Sequence, residues 1–228
     1  MKMLGMIGGT SWHSTIVYYR EINERFSELK GNKANPELIL YSLNIELMRS
    51  RDWDRINEKY LDIAQKLTQS GAEGIIICAN TPHGVFENLQ PKIDIPILHI
   101  ADATGQHARD LGLKKIGILG TLDVMEKPFI KDRIESEFNI EVIAPDEEDR
   151  PEVFRRIAEE LTRGIFLEDT RIFYLDQMNK LREKGAEGII LGCTELPMMF
   201  GPEDYDLPLL DTTRLHVDKA VEFILSES

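Results

Sequence analysis

Gly71-Ala72-Glu73-Gly74-Ile75-Ile76 returns letter for letter as Gly185-Ala186-Glu187-Gly188-Ile189-Ile190, an offset of 114 residues. Each copy sets a glycine fit to close a helix ahead of a short apolar run fit for a buried strand. Two further pairs follow in the same order. Leu4-Gly5-Met6-Ile7-Gly8 matches Ile116-Gly117-Ile118-Leu119-Gly120 at an offset of 112, and Asp94-Ile95-Pro96-Ile97-Leu98 matches Asp206-Leu207-Pro208-Leu209-Leu210 at the same offset. One such match is weak, because buried strands resemble one another. Three in order at nearly one offset mark an internal repeat.

Strand and helix signals alternate around these pairs, which predicts βα units and a parallel sheet. Strands are expected over 4–7, 38–43, 74–78, 95–98, 115–119, 140–143 and 188–191. Helical spacing joins Tyr19, Ile22, Phe26 and Leu29, then Trp53, Ile56, Tyr60, Ile63 and Leu67. It also joins Val153, Phe154, Ile157 and Leu161, and Leu175, Met178 and Leu181. The fold class is therefore α/β, with two pseudo-symmetric lobes, each a mostly parallel sheet flanked by helices. The expected division is 1–100 with 213–228 for one lobe and 101–212 for the other. Ligands of open α/β sheets bind beyond the carboxyl ends of the strands, so the active site is expected in a cleft between the lobes.

The formal net charge is −13, which repels nucleic acid phosphates and anionic membrane surfaces, and no basic stripe offsets it. No early stretch reads as a signal peptide or a membrane span. Cys78 and Cys193 are too far apart in sequence to form a closely spaced metal pair, and neither lies beside histidines at zinc-site spacing. In a reducing cytosol a disulfide between them is not expected. The glycines near the start do not form G-x-G-x-x-G, and there is no P-loop.

At the 114 offset Cys193 falls on Ala79, Gly192 on Cys78, Thr194 on Asn80 and Glu195 on Thr81. These positions lie where a strand ends and a helix is expected to begin. Free backbone N–H groups there can hold a carboxylate, and the same partial positive charge favours a thiolate.

Three motifs now carry a resemblance that spans essentially the whole chain: Gly8-Gly9-Thr10-Ser11-Trp12, Ala79-Asn80-Thr81-Pro82-His83 and Gly192-Cys193-Thr194-Glu195. They resemble the aspartate/glutamate racemase family, and within it broad-specificity amino-acid racemases with a Gly-Gly-x-Ser-Trp opening. The resemblance implies a cytoplasmic homodimer acting on an amino acid or related carboxylate, with neither pyridoxal phosphate nor metal. It implies two cysteines on opposite sides of the α-carbon, of which Cys193 is one. Gly9, Thr10, Ser11, Asn80, Thr81, Thr121 and Thr194 become candidate substrate contacts, although helix capping competes for the threonines. Glu195 is a candidate for orienting the thiol or the ammonium group, or for a cap. Arg49 or Arg51 could face an acidic side chain, with a solvated surface arginine as the alternative, and Arg163 is a weaker candidate. His83 belongs to the motif but reads equally as a residue that orients the loop. Trp12, Trp53 and Met198-Met199-Phe200 read as packing.

The chain departs from the family pattern at Ala79, which occupies the first cysteine position. Cys78 stands one residue earlier, and on a strand it points to the other face, so it reads as a buried structural residue. Three readings stay open: racemisation with Thr81 or a water serving the second face, one-sided chemistry like that of the family's arylmalonate decarboxylases, or an amino-acid-binding homologue with impaired catalysis.

Overall fold

The computed structural model describes residues 1–31 and 34–227. It divides into two compact units, Met1–Ile100 together with the segment from Thr213 onward, and Ala101–Thr212. The first unit runs β1 (Leu4–Gly8), α1 (Trp12–Lys30), β2 (Leu38–Ser42), α2 (Glu46–Arg49), α3 (Trp53–Gln69), β3 (Gly74–Ile77), α4 (Phe86–Leu89) and β4 (Ile97–Leu98). From the unit boundary follow α5 (Ile100–Asp110), β5 (Lys115–Gly120), α6 (Leu122–Glu126), α7 (Pro128–Phe138) and β6 (Glu141–Ile143). The second unit continues with α8 (Arg150–Glu159), α9 (Glu168–Glu183), β7 (Ile189–Gly192), α10 (Leu196–Met199) and β8 (Leu209–Asp211). The last helix, α11 (Thr212–Leu225), belongs to the first unit for almost all its length.

Each unit holds one four-stranded sheet, in the orders β2-β1-β3-β4 and β6-β5-β7-β8, and every neighbouring pair is parallel. The three repeated segments thus become the same three strands in each unit, β1, β3 and the edge strand β4 in the first and β5, β7 and the edge strand β8 in the second. All residues of β1, β3 and β7 are buried, as parallel strands covered by helices on both faces must be. Side chains alternate between two cores. Ile7, Ile75 and Ile77 join Ile56, Tyr60, Ile63 and Leu67 of α3. Leu4, Met6, Ile76 and Cys78 join Tyr18, Ile22 and Phe26 of α1 and Val217 and Val221 of α11. In the second unit Leu119, Ile189 and Leu191 pack with Val153 and Ile157 of α8 and Tyr174, Met178 and Leu181 of α9.

Several expectations need correction. The buried stripe of α1 is Tyr18, Ile22 and Phe26, whereas Tyr19 and Leu29 are exposed. The i, i+4 steps from Tyr18 satisfy the helical period as well as the predicted set does, so periodicity alone could not choose between adjacent aromatics. Trp12 and Met198 are 61% and 66% exposed and are not packing residues, although Phe200 is buried. Among the described residues, no helix is long and apolar enough to cross a membrane.

Three histidines are buried in the first unit: His83, His99 and His216. The His216 Nε2 lies 2.7 Å from the Leu98 carbonyl, which can only accept, so this nitrogen carries the proton. The Nδ1 must then accept from the Tyr18 hydroxyl at 3.0 Å, which fixes a neutral tautomer. Burial, reinforced by His83, holds the His216 pKa well below its usual value of 6.5, against the opposing bond to Leu98. Below pH 6.5 the unfolded chain therefore binds a proton that the folded chain refuses. The stability contributed by this site is complete above that pH and is lost as pH falls toward the depressed folded value. Urea unfolding followed from pH 8 to pH 5 should show that decline. Tyr18→Phe, which leaves Nδ1 without its donor, should cost about 1–3 kcal/mol at neutral pH.

Candidate active site at the strand ends

In the strand order 2-1-3-4 the chain winds one way from β1 to β2 and the other way to reach β3. The connections leaving β1 and β3 therefore diverge and open a crevice at their carboxyl ends. Gly9, Thr10 and Ser11 follow β1, and Ala79, Asn80 and Thr81 lie just beyond β3. In the second unit the same places belong to Thr121, after β5, and to Cys193, Thr194 and Glu195, after β7. All these candidates thus gather at the switch point of their own unit. Arg49 does not. It lies on α2, 65% exposed, with its guanidinium 2.7 Å from Glu46.

Local bonds fix the first unit's two loops. Gly9 has φ +89°, and a Cβ there would sit 2.1 Å from the Leu43 carbonyl oxygen, so only glycine fits. Its N–H donates to Thr15 Oγ1 at 2.9 Å, and that hydroxyl donates to the Ser11 carbonyl at 2.9 Å. Ser11 caps α1 by accepting from the Ser14 N–H. Ser14 Oγ in turn donates to the Cys78 carbonyl at 2.7 Å, tying the loop after β1 to the end of β3. His83 Nδ1 donates to the Ala79 carbonyl at 2.8 Å, so His83 does orient the turn. Thr10 Oγ1 lies 3.1 Å from the hydroxyl of Tyr60 on α3. The roles of Ser14, Thr15 and Tyr60 were missed in the sequence. The cap itself needs only the Ser14 backbone N–H, so no local motif marks the Ser14 side chain.

The second unit holds the more reactive arrangement. Cys193 Sγ donates to Glu195 Oε2 at 2.9 Å, and Thr194 Oγ1 donates to the same oxygen at 2.8 Å. Glu195 is buried, while Cys193 is half-buried. A Cβ on Gly192 would approach the Leu119 carbonyl oxygen to 2.8 Å, so this glycine lets β7 pack closely just ahead of the thiol. Burial is the main cause that raises the Cys193 pKa well above 9.0, followed by the Glu195 charge and its hydrogen bond. The N–H groups of Glu195 and Thr194 pull the other way. The expected thiolate is thus corrected. The turn amides do point at the sulfur, but desolvation and a neighbouring carboxylate outweigh them, and only the four-residue α10 follows. Resting Cys193 is a thiol hydrogen-bonded to the Glu195 carboxylate. Cys78 is 2% exposed within the α1–α11 core, and burial raises its pKa strongly.

A family model described as Asp/Glu/Hydantoin racemase matches residues 7–220. The chain is similar to a crystal structure from Yersinia pestis assigned provisionally as an Asp/Glu racemase, at 40% identity and TM-score 0.94, covering 99% of this chain and 100% of that one. It is also similar to an aspartate racemase homologue from Pyrococcus horikoshii, at 34% identity and TM-score 0.87, with the same coverage of both chains. A broad specificity amino-acid racemase of Bacillus subtilis is 22% identical over 216 residues, 92% of this chain and 93% of its own.

Iodoacetamide should label Cys193 and spare Cys78 in the folded protein, with a rate that climbs as pH rises into the alkaline range. Glu195→Gln removes the charge that opposes the thiolate, so peptide mapping should find faster labelling of Cys193 at neutral pH in that variant.

Proposed function

Because this chain belongs to the Asp/Glu/Hydantoin racemase family, we propose that it is an amino-acid racemase that works without pyridoxal phosphate or metal, on aspartate, glutamate or a broader set of amino acids. The observation that carries the reading is the bond from the Cys193 thiol to the Glu195 carboxylate. An amino-acid α-C–H is a very weak acid, so its removal needs a positioned base and charge stabilisation in a dry site. Glu195 takes the thiol proton, and the thiolate so formed removes the α-proton. Thr194, bonded to the same carboxylate oxygen, keeps Glu195 in line with the sulfur.

In this reading the strand ends of each unit offer N–H and O–H donors suited to a carboxylate, from Gly9, Thr10, Ser11, Asn80 and Thr81 in the first unit and from Thr121 and Thr194 in the second. Arg49 serves acidic side chains and must leave Glu46 to do so. The chain works in the cytoplasm as a homodimer.

Ala79 favours a second reading. A single thiol is enough for one-sided proton delivery after loss of carbon dioxide, as in a decarboxylase of arylmalonates. Release of carbon dioxide from an arylmalonate, with no effect on any amino acid, would replace the racemase reading.

Incubation of single enantiomers in D2O should yield both loss of optical purity and deuterium at the α-carbon. Cys193→Ala should lower both by roughly a hundredfold or more; unchanged rates would refute the role of Cys193. Arg49→Ala should raise KM for aspartate and glutamate roughly tenfold, the loss of one charged hydrogen bond, and leave neutral amino acids unaffected.

A further inference from the structure

The chain that leaves β3 has little regular structure of its own. Thr81–Val85 is a 3-10 turn, α4 is a single helical turn, and Gln90–Lys92 is a second 3-10 turn. Its side chains take part in a group of three buried imidazoles in the first unit, each at most 2% exposed. The His83 ring centroid lies 4.7 Å from that of His99 and 5.3 Å from that of His216, and the Phe86 ring stands edge-on to His99 at 4.8 Å. We propose that Thr81–Leu89 is an acid-released flap, which stays closed while these histidines are neutral and opens as they take up protons, freeing the turn after β3.

The bonds within the group suit neutral rings. His83 Nδ1 donates to the Ala79 carbonyl at 2.8 Å, so an added proton goes to its Nε2. His216 donates from Nε2 to the Leu98 carbonyl and accepts at Nδ1 from Tyr18, so a proton added there meets the Tyr18 donor head-on. The groups that face His216 are Tyr18 on α1, His83 on the flap and the Leu98 carbonyl at the end of β4, and His99 joins through His83. Among the described residues no carboxylate bonds His216 to shelter a charge. Glu87 on α4 and Arg214 on α11 are exposed. Burial, reinforced by His83, holds His216 well below its usual 6.5, whereas an imidazole released to water takes a proton near that value. The open form therefore binds protons that the closed form refuses, and opening becomes easier as pH falls below about 6.5.

The flap is the member of this group best able to move. Tyr18 and His216 sit on helices of 19 and 14 residues, and Leu98 sits on a strand paired with β3. The flap is built of short turns, which open at lower cost than long helices or paired strands. Val85 and Leu89 are buried in the core beside α3 and hold it shut at neutral pH. Gln90 pins its far end, accepting from the Ile97 N–H at 2.8 Å and donating to the Ile95 carbonyl at 3.2 Å. Opening withdraws the His83 donor from the Ala79 carbonyl, so the turn that carries Asn80 and Thr81 loses its fastening. Acid thus disables the first unit's candidate contacts whichever reaction the chain catalyses.

Amide hydrogen exchange of the whole chain, read by mass spectrometry at pH 8, 7, 6 and 5 and corrected for the intrinsic exchange rate at each pH, follows the opening directly. Peptides covering Thr81–Leu89 should exchange at least roughly tenfold faster than those covering β1 and β3 at every pH. Their protection should fall by roughly tenfold per pH unit below about 6.5 for each histidine that the opening frees. His216→Gln keeps a donor and an acceptor but takes no proton, so it should make the fall shallower by roughly tenfold per pH unit. The wild-type profile decides by itself if that variant does not fold. Flap protection equal to that of the strands at every pH overturns the proposal, because only global unfolding would then be seen. Flap protection constant within about threefold from pH 8 to pH 5 also overturns it, as does an equally steep fall in folded His216→Gln.

Discussion

Parallel strands cannot be joined by tight turns, so the chain must cross over the sheet between them, and reversing the winding forces two neighbouring strand ends apart. That constraint acts twice in this protein, between β1 and β3 and between β5 and β7. Each divergence leaves a rim of short loops above a largely buried pair of strands. The chemistry-bearing residues of both units stand on those rims, and the cores below them hold the loops still. Gly9, wedged against the Leu43 main chain, and Ser14, bonded to the Cys78 carbonyl, are the clearest fastenings in the first unit.

The two rims have diverged in what they offer. The second carries a thiol, a carboxylate and a hydroxyl within bonding reach of one another. The first carries an alanine at the matching position, a buried cysteine turned into the core, and a phenol linked to a hydroxyl. Electrostatics sharpen the contrast. Burial keeps both the Cys193 thiol and the Tyr60 phenol protonated at rest, and the Glu195 carboxylate adds to that effect on the thiol.

Much of the fold was legible in the sequence. The repeated Gly-Ala-Glu-Gly-Ile-Ile segments became β3 and β7, the central strands of two sheets with the same strand order. Period-two alternation sent Cys78 into the α1 core, and the phase of α3, from Ile56 through Tyr60 to Leu67, was also correct. The phase of α1 was not, because Tyr18 and Tyr19 are adjacent aromatics, and only the position of the sheet decides which of them faces it. Trp12 showed the same limit: an aromatic residue reads as core until the helix is seen to turn it to solvent.

By itself the sequence determined the strands, the repeat and the motif positions, because hydrophobic periodicity and glycine placement are local properties that each unit must satisfy alone. Only the tertiary structure decided what those positions do to one another. Whether an amide or a carboxylate dominates a thiol, whether an arginine is paired with its neighbour, and whether a phenol meets a hydroxyl or a carbonyl depend on distances of a few ångströms between distant parts of the chain. The placing of Cys193 beside Glu195, and of Tyr60 beside Thr10, is set by tertiary packing, which a sequence pattern does not encode.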